Sequence, residues 1–152
     1  MPHIDIKTTQ LLTREEKVTL AERLSAAFAG CSDPHVARNI QYTIEDEVFV
    51  SFRGDHATPS ANVQIHPGPL TPVEDYEKIV QAFFPVLTEI LDTPKNHIYV
   101  TVSEIEYWGF NGEYIMIKKQ VWSSSVRAEI CCEGSDTSAD SAKISFSYPP
   151  HM

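Results

Sequence analysis

The sequence predicts an α+β fold in which two β-α-β units stand in tandem, forming a four-stranded sheet with two antiparallel helices on one face. Residues 1–54 and 61–112 read as two copies of one unit, with landmarks recurring 58 positions apart: Thr13-x-x-Glu16 and Thr71-x-x-Glu74, Thr43-Ile44 and Thr101-Val102, Phe52 and Phe110, Gly54 and Gly112. Within each copy, apolar residues first alternate and then recur every three or four positions, the pattern of a strand followed by a helix. Tandem β-α-β units with right-handed crossovers combine into one such sheet. A chain of 152 residues with 42% apolar content has the length of about one ordinary domain and enough apolar mass for a core.

The first strand is marked by Ile4 and Ile6 alternating with Asp5 and Lys7, and its counterpart by Val63 and Ile65 alternating with Gln64 and His66. Thr13 and Glu16 form a capping-box pattern, in which hydroxyl and carboxylate each satisfy an orphan amide of the other residue. The helix it opens carries Val18, Ala21, Leu24 and Phe28 on one face and ends near Gly30. Thr71 and Glu74 predict the same cap for the second helix, with Pro72 at its first position and Tyr76, Ile79, Val80, Phe83, Val86, Leu87 and Ile90 along its apolar face. Pro85 inside that helix deletes a backbone bond and is expected to kink it, not to divide it. Asp33-Pro34 and Asp92-Thr93-Pro94 are turn signals before second strands over 40–44 and 97–102, each followed by an apolar and aromatic piece, 48–52 and 107–110.

With so much apolar and aromatic character in the strands, the face of the sheet away from the helices is expected to be buried by self-association, in a homo-oligomer. The duplicated domain is assigned to residues 1–114. Residues 115–152 read as a partly disordered tail, because 133–142 is rich in Gly, Ser, Asp, Ala and Thr, with 121–122 and 144–148 as candidate edge strands.

Charge and composition narrow the function. Twelve Lys plus Arg against 21 Asp plus Glu leave a net charge of −9, with no basic run, which argues against nucleic acid or an anionic membrane as partner. No stretch reaches the roughly 18 apolar residues of a membrane span; the richest window, 79–91, is interrupted by Gln81, Pro85, Thr88 and Glu89. The first residues lack the plan of a signal or transit peptide, so a cytoplasmic location is expected by default. Cys31 and the adjacent Cys131-Cys132 fit neither a disulfide framework nor a C-x-x-C motif and read as ordinary thiols. The six histidines have no metal-ligand spacing, and no Gly-rich phosphate loop or G-x-S-x-G elbow occurs, so no metal, nucleotide or other cofactor is expected.

Pro2, at the head of the first strand, is the residue that carries chemistry. Loss of Met1 would expose a secondary amine at a fixed place on the sheet. An α-amino group titrates at about 7.7–8.0, and partial burial disfavours its cation, which brings a desolvated N-terminal amine into the range where general acid–base catalysis is most efficient.

Pro2-His3-Ile4-Asp5-Ile6-Lys7, followed by the Thr13–Glu16 helix start and the duplicated β-α-β unit, resembles the tautomerase superfamily over residues 2 to about 114. That superfamily includes 4-oxalocrotonate tautomerase, 5-carboxymethyl-2-hydroxymuconate isomerase, malonate semialdehyde decarboxylase, the 3-chloroacrylic acid dehalogenases and macrophage migration inhibitory factor. The double unit is most similar to the decarboxylase and migration inhibitory factor branches. The resemblance implies a homotrimer with Pro2 as catalytic amine and the pocket between subunits. It also implies an aromatic pocket wall. Tyr99, Tyr107, Trp108 and Phe110 lie in the matching stretch, and Trp108-Gly109-Phe110-Asn111-Gly112 is similar to the end of the decarboxylase's second unit. Tyr99 falls where migration inhibitory factor has a pocket tyrosine, His35 near its pocket lysine, and Thr101 where it has an asparagine, a departure.

A second departure concerns arginine. Carboxylate-processing members present pocket arginines, since a guanidinium grips a carboxylate through two bonds; the decarboxylase has a pair just before its second helix, where this chain has residues 64–70 without any. His66 is the titratable donor available there, and Arg38 and Arg53 are the arginines remaining as candidates for a pocket, with Lys7 a weaker cation. The missing pair counts against dicarboxylate turnover and decarboxylation. The reading is a tautomerase or isomerase that interconverts enol and keto forms of a small α-keto or aryl-keto acid, with Pro2 as general base. The alternatives are a protein-binding or signalling trimer of the migration inhibitory factor type with residual activity, a related proline-based decarboxylase or hydratase, and a structural trimer.

Overall fold

The structure of the chain, a computed structural model, describes residues 1–116. It resolves into two compact units, Met1–Ile105 and a second beginning at Glu106, so the second repeat crosses from one to the other. The expected tail strands at 121–122 and 144–148, and Cys131 and Cys132, lie outside the described residues.

The first unit runs β1 (His3–Thr8), α1 (Arg14–Cys31), α2 (Pro34–Ala37), β2 (Gln41–Glu45), β3 (Ala61–His66), α3 (Tyr76–Ile90) and β4 (Ile98–Val102). The strands form one sheet in the order β2-β1-β3-β4. Each repeat contributes a parallel pair, β1 with β2 and β3 with β4, and the two pairs join through antiparallel β1 and β3. The predicted duplication is thus visible as structure: β1 begins at His3 and β3 at Ala61, 58 positions later.

Alternation along the strands makes the core. Ile4, Ile6 and Thr8 of β1, Ala61, Val63 and Ile65 of β3, and Ile98 of β4 are buried, with Tyr42, Ile44, Val100 and Val102 packed at their side. Leu20, Leu24 and Phe28 of α1 and Ile79, Phe83, Val86 and Leu87 of α3 cover this face. The helices are antiparallel, since Arg23 meets Glu89 at 2.7 Å while Cys31, farther along α1, meets the Lys78 carbonyl near the start of α3. The α1 face corrects the sequence reading: Val18 is 49% exposed and the buried stripe is Leu20-Leu24-Phe28, a strict four-residue spacing.

The two helix starts differ. Thr13 and Glu16 form the expected capping box, the Glu16 amide donating to Thr13 Oγ1 and the Thr13 amide to Glu16 Oε2 at 2.8 Å. Thr71 does not cap α3; its buried hydroxyl donates to the Pro67 carbonyl at 2.5 Å, and a 3₁₀ turn over Val73–Asp75 leads into the helix. The hydroxyl is drawn to the turn before the helix because that turn leaves a buried carbonyl to satisfy. As expected, α3 continues through Pro85 as a single helix.

The second strands begin one residue later than expected. The 48–52 piece is not a strand: Val48 N–H bonds the Thr8 carbonyl, and Phe52 and Asp55 bridge across a turn in which Arg53 and Gly54 have positive φ. The second unit holds the counterpart, a hairpin of β5 (Tyr107–Phe110) and β6 (Glu113–Met116) turned by Asn111 and Gly112, again both at positive φ. That β6 strand was not foreseen, although Asn-Gly between two runs is a strong hairpin signal.

The uncovered sheet face overturns the premise used for self-association. It presents Gln41, Thr43 and Glu45 of β2, His3, Asp5 and Lys7 of β1, Asn62, Gln64 and His66 of β3, and Tyr99 and Thr101 of β4. Apart from Tyr99 this face is polar, because the apolar residues of each strand are spent on the helix side.

Candidate active site

Pro2 is buried, and its carbonyl accepts a hydrogen bond from the Gln41 amide at 3.0 Å, so the residue extends β1 and is held by β2. Over it lies the 67–71 turn. Gly68 has φ +76°, a backbone only glycine adopts at little cost, and a Cβ placed there would stand 3.3 Å from the Pro2 nitrogen. Pro67 and Pro69 stiffen the turn on either side, and the Thr71 amide and hydroxyl close it. The Pro2 nitrogen is therefore approached by bare backbone. Burial lowers the pKa of the Met1 amine below the ordinary N-terminal value, so this end of the sheet disfavours an ammonium.

Beside Pro2 the polar face carries a hydrogen-bonded cluster. His3 and His66 are direct cross-strand partners with ring centroids 5.9 Å apart. His3 Nε2 lies 3.1 Å from Thr43 Oγ1 and 3.2 Å from Asp5 Oδ1. An ionised carboxylate only accepts, which assigns the hydrogen to Nε2 and leaves Nδ1 as the basic nitrogen. His66 Nδ1 lies 3.1 Å from the Ser103 carbonyl oxygen, also only an acceptor, and 3.0 Å from Ser103 Oγ, which assigns its hydrogen to Nδ1. Ser103 is held at this level by its own amide bonding the Ile65 carbonyl. Nearby, burial first and Glu104 second raise the Tyr76 phenol to about 12; Tyr76 donates to Glu104 and ties the chain after β4 to α3.

The other candidates are distributed over the chain. Arg38 follows α2 three residues before β2, at the Pro2 end of the sheet, where it lines a shallow cleft of about 470 Å³ with Ala21, Ser25, Ala29 and Pro34. His35 is exposed on α2. Lys7 lies farther along the polar face, 3.6 Å from Glu45. Arg53 sits in the turn beyond the far end of β2, its guanidinium 5.5 Å from the centre of the Phe52 ring. Tyr99 pairs with Asn62, which pairs with Lys7. At about 3.4 Å per residue, that is roughly 17 Å along the sheet from the level of Pro2. Within one chain, then, Arg53 and Tyr99 belong to the end of the sheet opposite Pro2. Thr101 lies mid-sheet, level with Gln64 and Asp5. Tyr107, Trp108 and Phe110 are on β5 of the second unit, with Tyr107 and Phe110 exposed.

Sequence reasoning missed His3, Gly68, Thr43, Asp5 and Ser103. A Pro-Gly-Pro run is a legible signal for a tight turn, but the juxtaposition of His3 with His66 depends on a strand register that no local pattern displays. Among the described residues, no helix is long and apolar enough to cross a membrane, and no group of three or more His, Cys, Asp or Glu side chains is placed to hold a metal ion.

At the level of sequence, no family model matches this chain and no curated protein does. At the level of structure the likeness is extensive. The crystal structure of Leishmania major MIF2 superposes with a TM-score of 0.60 at 20% identity, over 76% of this chain and 97% of that one. The macrophage migration inhibitory factor-like protein of Entamoeba histolytica gives 0.63 at 17% identity, over 75% and 98%. A fused 4-OT symmetric trimer gives 0.58 at 17% identity, over 68% and 85%. The resemblance carried by the opening motif and the duplication is borne out as fold: this chain has the α+β fold of the macrophage migration inhibitory factor and fused 4-OT structures.

Proposed function

We propose that the chain is an N-terminal-proline tautomerase that interconverts the keto and enol forms of a small α-keto or aryl-keto acid, working as a homotrimer. The observation that carries this reading is the buried Pro2 nitrogen at the head of a central strand, approached by the bare backbone of Gly68. Once Met1 is removed the free amine is that of Pro2. The same burial that lowers the Met1 amine favours a neutral base there at physiological pH.

In the ketonic form of the substrate, the nitrogen lone pair takes a proton from the carbon next to the carbonyl. The C–H electron pair becomes the new C=C bond and the carbonyl oxygen takes the charge. The prolinium then returns its proton to that oxygen, and the reverse sequence converts enol to ketone. The 2-oxo chemistry is supported by a structural neighbour, Pt0534, whose crystal structure shows it inactivated by 2-oxo-3-pentynoate, with a TM-score of 0.63 at 19% identity.

A trimer also gives a role to residues that lie far from Pro2 in the single chain. Tyr99 and Arg53, at the opposite end of the sheet, are candidates to reach the Pro2 of a neighbouring subunit. His66 approaches from the same subunit, and Tyr107, Trp108 and Phe110 supply an aromatic wall suited to an aryl ring. No metal or cofactor is required by this chemistry, and a cytoplasmic location suits it.

The test is the ultraviolet decay of phenylpyruvate enol, using protein with a native N-terminus whose loss of Met1 is verified by mass spectrometry. Pro2→Ala is expected to lower kcat/KM by about a hundredfold or more, the usual contribution of a positioned general base. Retention of Met1, or a wild-type rate no greater than buffer, would refute the reading in favour of a protein-binding trimer.

A further inference from the structure

We propose that the His3–His66 imidazole pair is the anion-binding element of the proline site, taking the carboxylate of a small organic acid when each ring carries an added proton. The inference builds on the tautomerase reading for its substrate class but rests on separate observations. The two rings face each other across the central β1–β3 ladder at 5.9 Å, one residue from Pro2 on β1 and two from Gly68 on the chain leaving β3.

Both rings are locked at one nitrogen. Asp5 and Thr43 hold His3 Nε2, and Ser103 holds His66 Nδ1. Each ring is thereby fixed in one tautomer and keeps its second nitrogen free for a further proton. Two fixed rings this close cannot both become cations without repulsion, unless an anion joins them. A carboxylate presents two oxygens and matches two imidazole donors, which makes it a fitting third member.

The rest of the face sets the electrostatics. From β1 it carries Asp5 and Lys7, from β2 Thr43 and Glu45, from β3 Gln64, and from β4 Tyr99 and Thr101, followed by Ser103; the amino terminus lies at its edge. Lys7 is 3.6 Å from Glu45, and Asp5 contacts His3 itself, so cationic charge added at the Pro2 end of this face comes from the imidazole pair or from the terminal amine, and the ring-nitrogen spectra tell the two apart. Arg38 lines a different surface, the cleft beside α1.

The probe is 3-phenylpropionate, a carboxylate with no carbonyl to tautomerise, titrated into the full chain with its native N-terminus. Binding is followed by calorimetry from pH 5 to 8, and the histidine ring nitrogens by long-range ¹H–¹⁵N spectra. Binding linked to protonation of both rings weakens by up to about a hundredfold per pH unit above the titration of the pair. His3→Gln and His66→Gln are each expected to weaken it at least tenfold at pH 6 and to flatten this slope, while Arg38→Gln leaves it in place. In the wild type the ligand should raise the titration points of the His3 and His66 rings. Absence of that rise overturns the proposal whether or not the variants fold, as does binding that Arg38→Gln alone abolishes. Histidine-dependent binding by a protein that leaves phenylpyruvate enol untouched would refute the tautomerase reading and keep this one; turnover with histidine-independent binding would do the reverse.

Discussion

Gly68→Ala separates what the Pro2 turn does for folding from what it does for chemistry. Two costs follow from the geometry. The residue has φ +76°, and the left-handed region costs a residue with a Cβ roughly 1–2 kcal/mol. The added Cβ also lies 3.3 Å from the Pro2 nitrogen and 3.6 Å from Pro2 Cδ, so a neighbour must give way by a few tenths of an ångström. Gly54 isolates the first cost, because its φ is +81° and nothing lies within 4 Å of the corresponding Cβ. Gly54→Ala should lose about 1–2 kcal/mol and Gly68→Ala more than that, read as a fall in Tm of about 4–8 °C per kcal/mol in a unit of about this size. Only Gly68→Ala should impair catalysis, because its methyl group crowds the approach to the base and desolvates it further. The assays are thermal melts and phenylpyruvate enol decay on both proteins. Equal residual activity in the two variants, or unchanged activity in Gly68→Ala, would refute the placement of the reacting nitrogen beneath this turn.

Other parts of the fold make separate predictions. Thr13→Ala removes the side chain that caps α1 and should cost about 1 kcal/mol in denaturant unfolding, whereas Glu74→Ala should cost almost nothing, since no capping box forms there. Gly30→Ala, inside α1 with open space at its Cβ, should stabilise by about 0.5–1 kcal/mol. Hydrogen bonds from Thr58 and the Ala57 amide, with His97 adding a smaller charge effect, hold the Asp55 carboxyl down at about 2 from an ordinary 3.8. A depressed carboxyl contributes stability that is present above its unfolded pKa and is lost as pH falls through the folded value. Asp55→Asn should therefore flatten the acid limb of the stability profile between about pH 4 and pH 2 and leave its neutral slope unchanged. Leu24→Ala, at a fully buried position of α1, should cost about 2–5 kcal/mol in the same unfolding assay.

Much of the architecture was legible because duplication writes each landmark twice. An alternation or a helix start that is ambiguous alone becomes firm when it recurs 58 residues later, and β1 and β3 begin at that spacing. Where the copies diverge, copying one onto the other misleads: Thr71 occupies the position of the Thr13 cap, but the Pro67 carbonyl claims its hydroxyl and the Gly68 carbonyl its amide. Periodicity identified the α1 helix but misplaced its face at Val18, since a stripe of Leu20, Leu24 and Phe28 flanked by alanines leaves the angular position of the core weakly specified. The uncovered face was misjudged for a related reason. Total apolar content says how much a strand can bury, and only the register says on which side, because one residue of slip exchanges the faces.

The same distinction governs the site. Pro2 was legible as a candidate because the chemistry proposed for it depends on position in the chain, and the structure places it at the head of β1. His66 was legible only as a lone titratable donor, and its meaning changes once the antiparallel register sets it against His3. Arg53 and Tyr99 show the opposite case, in which a plausible sequence match lies at the wrong end of the sheet for its own proline. Their candidacy then becomes a statement about assembly. If a neighbouring subunit brings them to Pro2, Tyr99→Phe or Arg53→Gln mixed with Pro2→Ala protein should recover activity in mixed oligomers, because one subunit supplies the base and another the intact side chain. Activity that never exceeds the sum of the two separate proteins would confine each site to a single chain and remove both residues from it.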